Sequence, residues 1–202
     1  MVLRPINHAS NGLDVQVNAK NMYINSQVGT PIMPKGLKQT SATIAIGYTA
    51  SESAANTFTQ VSVDLNLDPL NREVFIVQGI DMDLTPPDVV AGTNTSLQAS
   101  LTTTSQTGMV RLSNANCLSH SRADIRMAAG SVEGVPFTRD SSDVIPASLE
   151  YLGIIATNDF FVSIEGDNNT AAKSVSGKVY GYRAQASADI YAALVQSEVL
   201  SA

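Results

Sequence analysis

At 202 residues, 44% of them hydrophobic and 15% charged, the chain suits one domain, or a domain with an arm, and is long enough to bury a substantial core. The net charge of −6 excludes a nucleic-acid binder that works by overall charge. No stretch approaches 18 apolar residues, which excludes a membrane-spanning helix.

The charge is unevenly placed. Residues 1–40 carry Arg4, Lys20, Lys35 and Lys38 against Asp14, a net of +3, while residues 41–202 carry a net of −9. Pro5, Asn11-Gly12, Gly29, Pro31, Pro34 and Gly36 punctuate residues 1–40, which read as an arm with short strand candidates at 13–17 and 22–28. Contact with nucleic acid is expected at most weakly, through this arm, because four cations are few. The start, MVLRPINHASNG, lacks the apolar run of a signal peptide, so assembly in the cytosol is the expectation.

Residues 40–48 (TSATIAIGY) alternate as Ala42, Ile44, Ile46 and Tyr48 and predict the first strand of the body. Residues 58–67 alternate again through Val61, Val63, Leu65 and Leu67. Asp68-Pro69-Leu70-Asn71 has the composition of a turn. It leads into residues 72–84, REVFIVQGIDMDL, the strand around which the body is organised. Val74, Ile76, Ile80, Met82 and Leu84 share one parity, with Gln78 its single polar member. Phe75 and Val77 share the other with Gly79, Asp81 and Asp83. The pattern predicts one wholly buried face, with Ile76 and Ile80 between two sheets, and one partly covered face, stopped by Pro86-Pro87.

Residues 97–104 are β-rich, 105–108 make a turn, and 109–112 start a return strand. Residues 114–122 look irregular, 124–129 fit a short strand or a helical turn, and 130–142 read as loop. Residues 149–156 form an apolar run, followed by DFFVSI at 159–164. Gly166-Asp167-Asn168-Asn169 turns the chain into 173–184. There Val175, Gly177, Val179, Gly181 and Arg183 alternate with Ser174, Ser176, Lys178, Tyr180 and Tyr182. Residues 187–200 predict a C-terminal helix with Ser187 as N-cap, Asp189 in its first turn, and an apolar face of Ile190, Tyr191, Leu194 and Val195. About eight strands at regular spacing, without alternating helices, predict an all-β fold: an antiparallel β-sandwich or barrel. Its divisions are an arm (1–40), a sandwich (41–186) and a helix (187–202).

Several residue groups invite a chemical reading. Asp81 and Asp83, with Asp88 beyond the prolines, could supply oxygens to calcium; acidic strand ends are more often solvated or paired, here with Arg72 or Arg183. Cys117 and His120 are two zinc-ligand types where a closed site needs four, and no strand-to-helix elbow frames them as a nucleophile pair. A part-buried thiol beside a surface imidazole is the ordinary reading. As the only cysteine, Cys117 also excludes an internal disulfide. Glu150, Asp159, Glu165 and Asp167 could provide a carboxylate pair for glycoside hydrolysis, although sugar platforms usually want aromatics and Trp is absent. Asn94 and Asn168 open glycosylation-type triplets, incidental without secretion. Lys178, Tyr180 and Tyr182 form a stripe that could stack on a base or sugar, but that more often packs beneath a helix, here 187–200. No catalytic, cofactor-binding or metal-binding residue is assigned.

With REVFIVQGIDMDL, NDFFVSI and KSVSGKVYGYRA as core strands, and TPPDVVAGTNT and MAAGSVEGVPFTRDSS as loops, residues 40–186 resemble the single jelly-roll capsid proteins of icosahedral viruses. The resemblance is architectural and no functional residue is carried over. It implies a jelly roll and a self-assembling shell subunit of a virion, with copies of itself as partners and the arm or the terminal helix tying neighbours together.

Composition agrees: 22 Ser and 16 Thr against 12 Lys and Arg give a surface of short polar side chains, which lose little rotamer freedom when covered. An ordinary Ser/Thr-rich β protein fits the same composition. The expected function is therefore a non-enzymatic capsid subunit, in the virion and assembled in the host cytoplasm. The alternatives are a carbohydrate- or receptor-binding module of a phage fibre, and a small hydrolase on a jelly-roll core.

Overall fold

The computed structural model describes residues 35–128, 133–141 and 149–200. The arm strands expected at 13–17 and 22–28 lie outside the described residues. The strands are β1 (Leu37–Gln39), β2 (Ile44–Ser51), β3 (Thr59–Asp64), β4 (Glu73–Leu84), β5 (Thr95–Thr102), β6 (Cys117–Met127), β7 (Gly134–Asp140), β8 (Gly153–Ile155), β9 (Asp159–Asp167) and β10 (Ser174–Ala186); the helix α1 spans Ala188–Leu200. In the first sheet β1 and β2 both lie along one edge of β10, followed by β4 and β8. The second runs β3-β9-β5-β6-β7.

All pairings are antiparallel, and they are nested. β2 pairs with β10, β3 with β9, β4 with β8, and β5 with β6. A long hairpin rolled up in this way alternates its strand pairs between two sheets, which is the jelly roll. The sandwich expected from the alternating segments is present. Its eight strands are joined by two more, β1 and β7, among the described residues.

Two strands differ from expectation. β6 occupies residues read as irregular or undecided, and residues 109–112 are not a strand. Its inward positions include Ser119, Ser121 and Ala123, with Ser119 Oγ against Met82 Sδ, so small polar residues inside hide the alternation. β7 lies within the expected loop at 130–142. It is an edge strand interrupted by Pro136 and exposed over most of its length, and so it carries no apolar period.

β4 behaves differently from the single-parity reading. Tyr180 stands opposite Gly79 and Gly181 opposite Val77, so Gln78 is an extra residue in β4, a β-bulge. The bulge exchanges the two faces. Before it Phe75 and Val77 point between the sheets; after it Ile80 and Met82 do. Ile80 lies between the sheets as expected. Ile76 is fully buried, but on the outer face with Val74. Asp81 and Asp83 stay in solvent because the bulge has turned their parity outward.

The outer cluster explains the helix. Ile190, Tyr191, Leu194 and Val195 of α1 pack on Val74, Ile76, Ala156, Tyr182, Ala184 and Ala186. The apolar face expected of residues 187–200 is thus buried against the chain's own first sheet rather than left for a neighbour. These helix side chains are partly buried, so each gains only part of the roughly 1.5–3 kcal/mol that full burial of an aliphatic side chain gives. Between the sheets the core is Phe75, Val77, Leu97, Leu101, Ile155, Phe160, Val162, Ile164, Val175 and Val179, with Tyr48 edge-on to Phe160 at 6.2 Å. A Cβ on Gly177 would lie 2.1 Å from the Asp81 carbonyl and 2.5 Å from Tyr48 Oη, so only glycine lets the tyrosine ring cross β10 here.

Candidate functional site

A buried polar cluster lies at the end of the sandwich where the segments after β2, β4 and β9 meet. Glu52, after β2, is 5% exposed. Its Oε1 accepts from the backbone N–H groups of Gly166 (2.7 Å) and Thr57 (3.2 Å), and its Oε2 from that of Lys173 (2.8 Å). Asn169 donates from Nδ2 to the Ser96 carbonyl and accepts the Asp88 N–H at Oδ1, while its backbone N–H donates to Asn56 Oδ1. Asp88 forms an ion pair with Lys173 and accepts from the Thr170 N–H and hydroxyl. Lys173, then the Thr170 hydrogen bonds, hold the Asp88 carboxyl well below the usual range. Each of these acceptors fixes a loop, so the cluster is structural.

The calcium reading therefore loses Asp88, which is tied to Lys173. Asp81 and Asp83 stand on the outer face opposite Lys178 and Ser176. Neither Arg72 nor Arg183 neutralises them; Arg183 pairs with Glu73 at 3.1 Å. Among the described residues no group of three His, Cys, Asp or Glu is placed to hold a metal.

Cys117 is buried and its thiol is pushed up to about 11 by burial, with Sγ donating to the Ser119 carbonyl at 3.3 Å. A thiol held protonated at neutral pH is a poor nucleophile. His120 lies half-buried on the outer face of the second sheet, and its Nε2 has no hydrogen-bond partner. Burial lowers its pKa, and the charges of Arg111 and Arg122 lower it further against Asp140. No hydrogen bond among the described residues joins the pair.

Of the four carboxylates, only Glu165 and Asp167 come close to one another. Asp159, Glu165 and Asp167 share the outer face of β9. Asp159 lies six positions from Glu165, about 20 Å along a strand, whereas Glu165 and Asp167 are neighbours about 7 Å apart that point the same way from one strand, instead of flanking a bond held between them. Asp159 accepts from Ser62 Oγ at 2.8 Å, and Glu165 accepts from Gln98 at 3.3 Å. Glu150 lies before β8, away from this face.

The carboxylate that the sequence reading missed is Glu198 on α1. It is 7% exposed and accepts the N–H groups of Ala156 (3.1 Å) and Thr157 (2.9 Å). Burial raises its pKa, the two N–H bonds and Thr157 oppose the rise, and the charge of Asp159 adds to it. A signal was available, since position 198 follows Leu194 by four residues and so falls on the helix's apolar stripe.

The aromatic stripe divides. Tyr182 packs beneath α1 as expected. Tyr180 is 38% exposed and, with Lys178, Asp81, Thr49, Ser176 and Gly47, lines a shallow hollow on the outer face of the first sheet.

No family model matches the sequence, and no curated protein matches it. Among solved structures, a chain from Desmodium yellow mottle tymovirus is 11% identical, with a TM-score of 0.27 over 78% of this chain and 96% of that one. A chain from turnip yellow mosaic virus is 12% identical, with a TM-score of 0.23 over 73% and 95%. The likeness is slight and transfers no residue roles.

Proposed function

We propose that this chain is a non-enzymatic structural protein, a viral capsid subunit that assembles with copies of itself into a symmetric shell in the host cytoplasm. The observation that carries the reading is the condition of its polar groups and edges taken together. Asp88, Glu52 and Glu198 are all engaged in bonds that hold loops or the helix, and the Cys117 thiol is spent on the Ser119 carbonyl within β6. Meanwhile the edge strand β7 presents Val135 and Phe137 at 57% and 52% exposure. Apolar side chains left out on a rigid sandwich support association rather than turnover. In this reading residues 1–40 act as an arm between neighbours except where β1 joins the first sheet, 41–186 act as the shell body and 187–202 as a helix that thickens it. Nucleic acid is touched at most weakly, by the arm.

The competing reading, a glycan- or receptor-binding module of a fibre, rests on Tyr180 and its shallow hollow. One exposed ring without a second aromatic platform is thin support for sugar binding. Light scattering and negative-stain microscopy of the purified protein separate the two. Megadalton particles of uniform size support the shell subunit. A species that stops near a trimer and binds glycans would replace it with the fibre module.

A further inference from the structure

We propose that the two edges of the second sheet dock on one another between copies of this chain, β7 of one against β3 and β9 of the next. The inference rests on the self-assembly reading and names its contact.

Phe160, Val162 and Ile164 fill the core, so Asp159, Phe161, Ser163, Glu165 and Asp167 point outward along β9. Asp64 of β3 stands directly opposite Asp159. At the other edge Arg139 of β7 stands directly opposite Arg122 of β6, with Phe137 opposite Asp124 and Val135 opposite Arg126. Like charges placed directly across a ladder destabilise a sheet. This sheet carries one such pair at each edge, acidic at β3 and basic at β7. Arg122 and Arg126 share Asp124, whereas Asp64 and Arg139 have no ion-pair partner among the described residues. A pair of faults with opposite signs is corrected when the edges meet.

The apolar groups match as well. Phe161 lines a hollow of about 210 Å³ with Thr103, Thr104, Thr157, Asp159 and Glu198. Phe137 and Arg139 are two residues apart, and so are Phe161 and Asp159, a step of about 7 Å on a strand. An antiparallel approach therefore brings Phe137 to the hollow as Arg139 reaches Asp64 and Asp159. Aromatic and Arg side chains dominate the centres of protein interfaces. Pro136 has no N–H to donate, which favours contact through side chains over a continuous backbone ladder. Because the two edges differ, each copy keeps one edge of each kind free, and the contact repeats into a ring or a larger lattice.

The test uses the full chain, Arg139→Glu, Asp64→Arg, and the two substitutions combined, compared by analytical ultracentrifugation at low and high salt. Each single reversal is expected to weaken self-association about tenfold or more. It should leave the thermal midpoint of the subunit unchanged or higher, because it removes a like-charge opposition. The combined variant regains association, since both edges are reversed together, and high salt weakens it as it weakens the unsubstituted protein. If the unsubstituted protein assembles and the single reversals assemble equally well, the docking is overturned and the shell reading stands. Loss in the singles without recovery in the combined variant also overturns it. An unsubstituted protein that stays monomeric overturns both.

Discussion

In the first half of β4, Val74, Phe75, Ile76 and Val77 are all buried, with α1 over one face and the second sheet over the other. Past Gln78 only the inward residues Ile80 and Met82 are buried, and Asp81 and Asp83 meet solvent. One strand thus serves a three-layer region and a two-layer region, and the bulge at Gln78 is what allows both. Without the extra residue, the parity that suits one half would turn the other half inside out. The difference teaches that a bulge can change how many layers a strand belongs to, not merely bend it.

The sharpest way to break this comparison is to delete Gln78. Either Asp81 and Asp83 would then enter the core or Phe75 and Val77 would leave it, and each outcome exceeds the roughly 5–15 kcal/mol that holds a domain together. Loss of soluble, protease-resistant protein is the expected result; a cooperative unfolding transition near that of the parent would show that the register is not fixed by the bulge.

Next is Ile76→Ala, expected to cost about 2–5 kcal/mol by chemical denaturation. Because Ile76 faces α1, that cost should shrink in a chain truncated after Ala186, where the outer face is already bare. A double-mutant cycle measures the coupling. An unchanged cost in the truncated chain would mean that the helix does not supply the third layer.

A smaller effect is expected from Glu198→Gln. The folded-state pKa of Glu198 is raised, chiefly by burial, so the folded chain holds this proton more tightly than the unfolded chain. Its contribution is fully present below the unfolded value of about 4.3 and is lost as pH rises through the higher folded value. Thermal midpoints measured from acid to neutral pH should therefore fall with rising pH more in the parent than in the variant. Parallel curves would contradict the assignment. Smallest of all is Asp83→Asn, on the solvent side of the two-layer half, which should move stability by no more than about 0.5 kcal/mol.

Segments with uniform alternation were legible from sequence. β9 and β10 have strict inward sets, Phe160, Val162 and Ile164, and Val175 and Val179, and the stretch at 187–200 has a helical stripe that does pack. β4 was legible as a strand but not in its facing. Two buried faces give Val74, Ile76, Ile80 and Met82 one parity, and nothing local distinguishes that run from a single face. β6 escaped because Ser119 and Ser121 are buried hydroxyls, and β7 because an edge strand with a Pro shows no burial period. Among the polar candidates, the burial of Tyr182 followed from its neighbour in sequence, α1. Asn169 and Thr170, which meet Asp88, and Gly166 and Lys173, which meet Glu52, lie more than 80 residues further along the chain, a closeness that no spacing announces.

The nested pairing also sets the order in which the chain can become a protein. β10 follows every other strand in sequence, yet it is the shared neighbour of β1, β2 and β4. As the chain leaves the ribosome, β1 and β2 have no ladder to join until residues 174–186 emerge, and β4 has only its three-residue pairing with β8. Pairings this remote are slow to form, and apolar strands waiting for a partner are prone to stick to other chains. Translation of the last strand is therefore the event that commits the first sheet.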